Sequence, residues 1–265
     1  MILSAKGQIV KNMPVQPGIY EMTISVPEIA SCCYAGQFVM VRPLYRSFEP
    51  FLNRPFGISG IDVHQGTINI LYIVVGKGTD ILSTLVPGEE IFLIGPIGQG
   101  FTIRPQDKKV ALVAGGMGIA PLLPLAQAFM DKDCEVYGLL GAGKSSALVG
   151  ADTWSSLGVN VQLATDDGSC GTKGFVTSLL EELLTKEKID YIYCCGPTPM
   201  MAKTVEIAQK FGVPIEVSLE KRMGCGVGAC MGCICKLKQA DGSVKQYRIC
   251  YDGPVFHGEE VIFDD

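Results

Sequence analysis

The sequence predicts a small antiparallel β barrel, then an α/β domain on a mostly parallel sheet, then a compact cysteine-rich module. Three observations carry this. The first hundred residues hold short β-like runs without a helical period. From about residue 108, strands and helices alternate. Beyond Gly212, five of the 11 cysteines crowd between Cys225 and Cys250 amid glycines. The expected divisions are 1–103, 104–213 and 214–265, in keeping with 265 residues at about 100–200 per domain.

The barrel runs are 18–26, 37–42, 67–75 and 90–94, separated by turn signals such as His64-Gln65-Gly66 and Pro87-Gly88. The α/β rhythm is strand 109–114, helix 119–131, strands 135–140 and 159–164, helix 174–187, strand 190–194 and helix 198–210. Residues 110–130 form a 21-residue stretch without a charge, long enough for a membrane span. Gly115, Gly116 and Gly118 interrupt it and Pro121 and Pro124 follow, so a buried strand, a glycine turn and a helix fit better. No membrane partner is expected.

With 48% hydrophobic and 18% charged residues the chain is not disordered. The net charge of −5, without a Lys/Arg run, argues against a nucleic-acid binder. The opening MILSAKGQIV lacks the charged-then-apolar pattern of a signal peptide, so a reducing cytoplasm is expected. There, clustered cysteines serve metals or redox chemistry more often than disulfides. His64 and His257, the only histidines, lie in polar turns, which leaves a triad hydrolase without its base.

Cys225, Cys230, Cys233 and Cys250 read C-x4-C-x2-C…C, the plant-type [2Fe–2S] spacing. Gly224, Gly226, Gly228 and Gly232 let a tight loop turn three thiolates inward, and a strand at 246–251 is expected to bring Cys250. Structural zinc is the competing reading, but zinc favours paired C-x2-C knuckles. Cys32, Cys33, Cys134, Cys170, Cys194 and Cys235 read as packing.

Gly115, Gly116 and Gly118 sit between the first strand and helix of the α/β domain, where helix-terminal N–H groups hold a pyrophosphate. Cys195-Gly196-Pro197 ends a buried strand at the sheet's carboxyl edge; for Cys195, packing and cofactor contact both stay open. Asp166-Asp167-Gly168 reads first as a turn, with ligand contact the lesser reading. Gly138 to Ser145 formally matches a phosphate loop, which keeps a nucleotidase as a remote alternative. The match follows the second strand rather than the first, and its own first residues read as strand.

Together these segments resemble the ferredoxin–NADP reductase superfamily. The barrel markers are Arg54-Pro55-Phe56-Gly57, Leu71-Tyr72-Ile73, Gly76-Lys77-Gly78-Thr79 and Gly95-Pro96-Ile97-Gly98. The nicotinamide markers are Gly115 to Pro121 and Cys195-Gly196-Pro197. The resemblance implies FAD on the barrel: Arg54 on its pyrophosphate, Pro55, Phe56 and Gly57 beside the isoalloxazine, Gly78 and Thr79 on a phosphate, and the Leu71-Tyr72-Ile73 strand in the site. NAD(H) would meet Gly115, Gly116, Gly118, Gly196 and Pro197, with Cys195 near the nicotinamide.

Glu220 to Cys233 and Cys250 to Phe256 are most similar to the family of electron-transfer subunits of type B dihydroorotate dehydrogenase. That likeness implies a relay in pyrimidine biosynthesis. A partner subunit carrying FMN oxidises dihydroorotate, and electrons pass through the [2Fe–2S] cluster and FAD to NAD+, in a heterotetramer of two of each chain. It also implies a partly apolar, covered surface at 220–256. The flavin and iron–sulfur subunit of an NADH-dependent ferredoxin:NADP+ or sulfide-type oxidoreductase is the alternative. Two departures stand out. Gly57 replaces a usual Ser or Thr, leaving a flavin hydrogen bond to Ser59 or the backbone, and Gly143-Lys144-Ser145 leaves NADH against NADPH open.

Overall fold

The computed structural model describes residues 2–42 and 49–263. Six strands close an antiparallel barrel: β1 (Leu3–Gln16), β2 (Ile19–Ser25), β3 (Phe38–Arg42), β4 (Arg54–Asp62), β5 (Thr67–Ile73) and β6 (Glu90–Ile97), in the order β1-β2-β5-β4-β3-β6. Closure pairs every strand on both sides and so removes the sheet edges. Met22, Ile24, Val39, Val41, Ile58, Ile68 and Ile70 fill its interior. The short helix α1 (Pro27–Ala30) and the eight-residue α2 (Lys77–Thr84) lie between strands.

Three features of this half depart from the expectation. β1 and β4 were not among the four expected runs, and α2 interrupts a region expected to lack helix. The physical reason for α2 is its cap: Thr79 Oγ1 accepts the N–H groups of Val75 (2.9 Å) and Gly76 (3.2 Å) and so starts a helix behind glycines.

The second half alternates, with α4, β10 and β12 added to the expected elements: β7 (Lys109–Gly115), α3 (Leu122–Met130), β8 (Glu135–Ala142), α4 (Ala151–Ser156), β9 (Asn160–Thr165), β10 (Thr172–Lys173), α5 (Val176–Lys186), β11 (Tyr191–Cys195), α6 (Thr198–Phe211) and β12 (Ile215–Ser218). The sheet order is β10-β9-β8-β7-β11-β12, all parallel. Its central strands are buried on both faces, as a parallel sheet between helix layers requires. Where a helix from Ile119 was expected, a 3-10 turn at Gly116–Ile119 precedes α3, which starts after Pro121. The formal phosphate loop is not one: Gly138 to Ala142 are β8 itself, and only a three-residue 3-10 turn follows Lys144. Among the described residues no helix is long and apolar enough to cross a membrane.

The C-terminal segment adds β13 (Ile234–Lys238), β14 (Val244–Arg248), β15 (Val255–His257) and β16 (Val261–Ile262). β14-β13-β16 form a small sheet, while β15 returns to pair antiparallel with β12. Residues 214–265 are thus not wholly separate: β12 and β15 both lie in the large sheet.

The barrel is tied to the sheet through its linker. Glu216 on β12 is buried, accepts the Thr102 N–H (2.9 Å) and lies 3.7 Å from Arg104. Arg104 stacks 3.6 Å over the Tyr191 ring, and Tyr193 donates its hydroxyl to the Thr102 carbonyl (2.6 Å).

Candidate functional site

Strand order reverses between β7 and β11, so the loops leaving their carboxyl ends part and open a crevice. It encloses about 500 Å³. Gly115 and Gly116 line it from β7, Gly141 and Gly143 from β8, Asp166 from the end of β9, and Pro197, Met200 and Lys203 from the α6 side. The two expected nicotinamide segments meet here: a Cβ on Gly196 would stand 2.9 Å from the Gly115 nitrogen. Asp166 and Asp167 divide the two readings of their motif. Asp166 faces the crevice, whereas Asp167 makes the turn by accepting the Ser169 N–H (2.9 Å) and hydroxyl (2.6 Å).

Gly118 does not line the crevice; it packs against the Cys195 carbonyl, where a Cβ has no room. Cys195 is wholly buried, and burial, with Glu220 and Cys194 adding to it, pushes its thiol well above the ordinary range. It lines neither this crevice nor the barrel cleft described next, so its side chain belongs to the core.

A second cleft of about 800 Å³ opens between the barrel and residues 218–223. Arg54, Pro55 and Gly57 of β4, Phe38 of β3, Val75 and Pro121 line it. The chain therefore passes from the crevice at Gly116 to this cleft at Pro121 in one tight turn. Arg54 lies across the start of α2: a Cβ on Gly78 would run into its guanidinium, with Cζ at 2.7 Å. An arginine fork over the N-terminal N–H groups of a helix is an anion cradle, and it suits a pyrophosphate. Thr79 is buried, and its hydroxyl is spent on capping α2, so the cradle's donors are backbone.

The other barrel markers scatter. Tyr72 is buried, stacks on Tyr20 (5.7 Å) and donates to Asn12 (2.9 Å), so its ring faces away from the cleft. Phe56 tilts against it at 5.6 Å. Leu71 packs toward the α/β domain and Ile73 is exposed. Ser59 lines a separate groove beside α3 and α4. Glu220 was not singled out for a role by sequence; it stands in the cleft wall.

Residues 218–223 wall this cleft and run straight into the cysteine loop. Two pairs of thiols form there, Cys225 beside Cys230 and Cys233 beside Cys250. The N–H groups of Val227 (3.4 Å), Ala229 (3.3 Å) and Cys230 (3.3 Å) donate to Cys225 Sγ. Gly228 donates to Cys250 Sγ (3.1 Å) and Cys250 to Cys233 Sγ (3.4 Å). Against the burial that would raise it, these donors hold the Cys225 thiol down at about 7; burial and the neighbouring Cys233 push Cys250 up to about 12. Two thiol pairs with N–H groups aimed at sulfur suit an iron–sulfur cluster held by four thiolates. The 246–251 expectation is corrected: β14 ends at Arg248, and Cys250 lies in the following turn. Arg248 holds that turn by pairing with Asp252 (3.1 Å) and donating to the Gly228 carbonyl (3.2 Å), a bracket the cysteine spacing does not reveal. Cys230, Met231 and Tyr251 are exposed on this face.

Comparison with known proteins agrees with this geometry. Residues 220–262 match the iron-sulfur cluster binding domain of dihydroorotate dehydrogenase B, and 112–206 match the oxidoreductase NAD-binding domain. The electron transfer subunit of dihydroorotate dehydrogenase B (NAD(+)) from Desulforamulus reducens is 40% identical over 94% of this chain and 95% of that protein. Its counterpart from Clostridium acetobutylicum is 39% identical over 97% of each. Among solved structures, an NADH-dependent reduced ferredoxin-NADP oxidoreductase superposes with TM-score 0.86 at 32% identity, covering 98% of this chain and 90% of that one. A ferredoxin NADP+ reductase from Neisseria gonorrhoeae with bound FAD and NADP shares the fold at TM-score 0.66 and 18% identity, covering 79% and 92%.

Proposed function

The chain belongs to the family of electron transfer subunits of dihydroorotate dehydrogenase B (NAD(+)), and we infer from this that it relays electrons between a partner catalytic subunit and NAD+. The reading is an oxidoreductase subunit of pyrimidine biosynthesis that holds FAD and a [2Fe–2S] cluster and exchanges NAD(H). The partner carries FMN and oxidises dihydroorotate, two copies of each chain assembling in a reducing cytoplasm. Barrel 1–103, α/β domain 104–213 and module 214–265 would take FAD, nicotinamide and cluster in turn. The higher identity to these subunits, and the match at 220–262, favour this over the ferredoxin:NADP+ alternative.

The observation that carries it is the continuity of the three sites. One short turn links the crevice to the barrel cleft, and residues 218–223 link that cleft to Cys225. When bound, FAD exchanges a hydride with the nicotinamide and single electrons with the cluster. Arg54 and the α2 N-terminus hold the pyrophosphate, Pro55 and Gly57 border the ring, and Gly115, Gly116 and Pro197 admit the nicotinamide. Gly118 and Cys195 act beneath that surface by close packing. Cys225, Cys230, Cys233 and Cys250 would hold the cluster, which would carry single electrons. Asp166, at the end of β9, is placed to accept from a ribose 2′-hydroxyl and to repel a 2′-phosphate, which favours NADH over NADPH. The exposed Met231 and Tyr251 mark the face that meets the partner.

Anaerobic purification tests the reading. It expects flavin and [2Fe–2S] absorption together, with one FAD and two irons per chain. A colourless, zinc-loaded protein would overturn it.

A further inference from the structure

We propose that Met40 is the positioning residue that seats the iron–sulfur loop on the barrel and sets its separation from the flavin cleft. The proposal deepens the reading above and rests on it. Alternate side chains of a strand face opposite ways. On β3, Val39 and Val41 point into the barrel, whereas Phe38 and Met40 share the outer face and join the core that contains Cys233 and Cys250. Phe38 lines the barrel cleft. Met40 is two residues along, about 6.5 Å at strand rise, and touches the cysteine loop instead.

The contact is at Gly226, the neighbour of Cys225. A Cβ there would lie 2.5 Å from Met40 Cγ and 2.7 Å from its sulfur, so only a glycine lets the loop close onto the thioether. Gly226 also has a φ of +71°, in the left-handed region that glycine favours. Beside it on the same outer face, Met40 is paired in register with Pro55 of β4, which lines the flavin cleft. One wall residue therefore touches the loop and stands next to the cleft lining.

The chain itself also links cleft and cluster, from Met223 to Cys225 and from Cys250 to Pro254, the latter turn held to the barrel by the Gln99 N–H on the Gly253 carbonyl (2.6 Å). The Met40 contact fixes the Cys225 end of the loop. Met40 is wholly buried, and its unbranched side chain fills the irregular gap beneath Gly226. Truncation leaves a void into which the loop shifts, which lengthens the electron path between flavin and cluster and slows it.

The test is anaerobic single-turnover reduction of the FAD- and cluster-loaded protein by NADH, following flavin bleaching and cluster reduction separately for wild type, M40A, M40V and M40L. Flavin bleaching should be unchanged in all four. Cluster reduction should slow severalfold in M40A, less in M40V, and return to the wild-type rate in M40L, which conserves volume. If M40A does not retain its cluster, M40V against M40L decides alone. Wild-type cluster reduction in the truncated variants overturns the proposal, as does equal slowing of both phases or equal slowing in M40L. Failure of the underlying reading is distinct: wild-type protein would then lack the flavin or cluster bands.

Discussion

Replacing Gly78 by Ala should weaken FAD binding without weakening the fold. Gly78 lies in the first turn of α2 with the Arg54 side chain across it; an added Cβ would meet Cζ at 2.7 Å and one terminal nitrogen at 2.9 Å. The obstructing atoms are the end of a flexible side chain, so Arg54 swings away at little conformational cost. Alanine meanwhile favours a helix over glycine by about 0.5–1 kcal/mol. The apo protein should therefore be as stable as wild type or slightly more so. Arg54, displaced, loses its phosphate contact, a charged hydrogen bond worth about 1.5–3 kcal/mol. At about 1.4 kcal/mol per decade, the FAD dissociation constant rises roughly 10- to 100-fold. Fluorescence titration of deflavinated protein measures the affinity, and a thermal melt of the apo protein measures stability. Because both changes remove the same contact, the Gly78→Ala/Arg54→Ala double variant should bind no worse than Arg54→Ala alone. Wild-type FAD affinity in Gly78→Ala would refute the cradle.

Asp166→Ala should raise the KM for NADH about tenfold, the loss of a charged hydrogen bond, and narrow the preference over NADPH; steady-state dye reduction with each cofactor checks this. Cys250→Ala should abolish the [2Fe–2S] bands while leaving the flavin band, whereas Cys235→Ala, buried in β13 outside both thiol pairs, should keep both; visible spectra of the two variants decide. Asp190 accepts the N–H groups of Lys109 (3.0 Å) and Lys108 (2.8 Å), which lower its carboxyl below the usual range. Its folded pKa lies below the unfolded one, so its contribution is present above about pH 4 and disappears as pH falls through the folded value. Asp190→Ala should cost about 1–3 kcal/mol at pH 7 and progressively less in denaturant titrations below pH 4.

The parts of the molecule that were legible are those with a local signature. Uninterrupted apolar runs such as 110–114 and 191–195 announced the buried strands, and the cysteine spacing announced the thiol loop. What stayed hidden depends on distant partners or on disguise. β1 carries Lys, Gln, Asn and a proline, and holds together because β2 and β6 pair with it on either side. α2 has Gly76 just before it and Gly78 in its first turn, residues of low helix propensity, and its cap comes from Thr79 within the helix. β15 has three residues and exists only because β12 offers an edge. At the site, Gly115, Gly196 and Arg54 were found by motif, but side-chain direction was not legible. Tyr72 turned into the barrel and Cys195 into the core because residues two apart share a face, and only the closed barrel and the flanking helices determine which face is inside. Met40 carries no motif at all; nothing short of the folded contact with Gly226 distinguishes it from other buried methionines.

The central claim is that this chain carries electrons from a dihydroorotate-oxidising partner to NAD+. The most direct measurement is to co-purify the chain with its native partner, anaerobically and with FAD and cluster in place, and to follow NADH formation at 340 nm on adding dihydroorotate. Dihydroorotate-dependent NAD+ reduction is expected from the complex, lost in Cys250→Ala and absent from either subunit alone. A complex that ignores dihydroorotate but passes electrons between NADH, ferredoxin and NADP+ would contradict it.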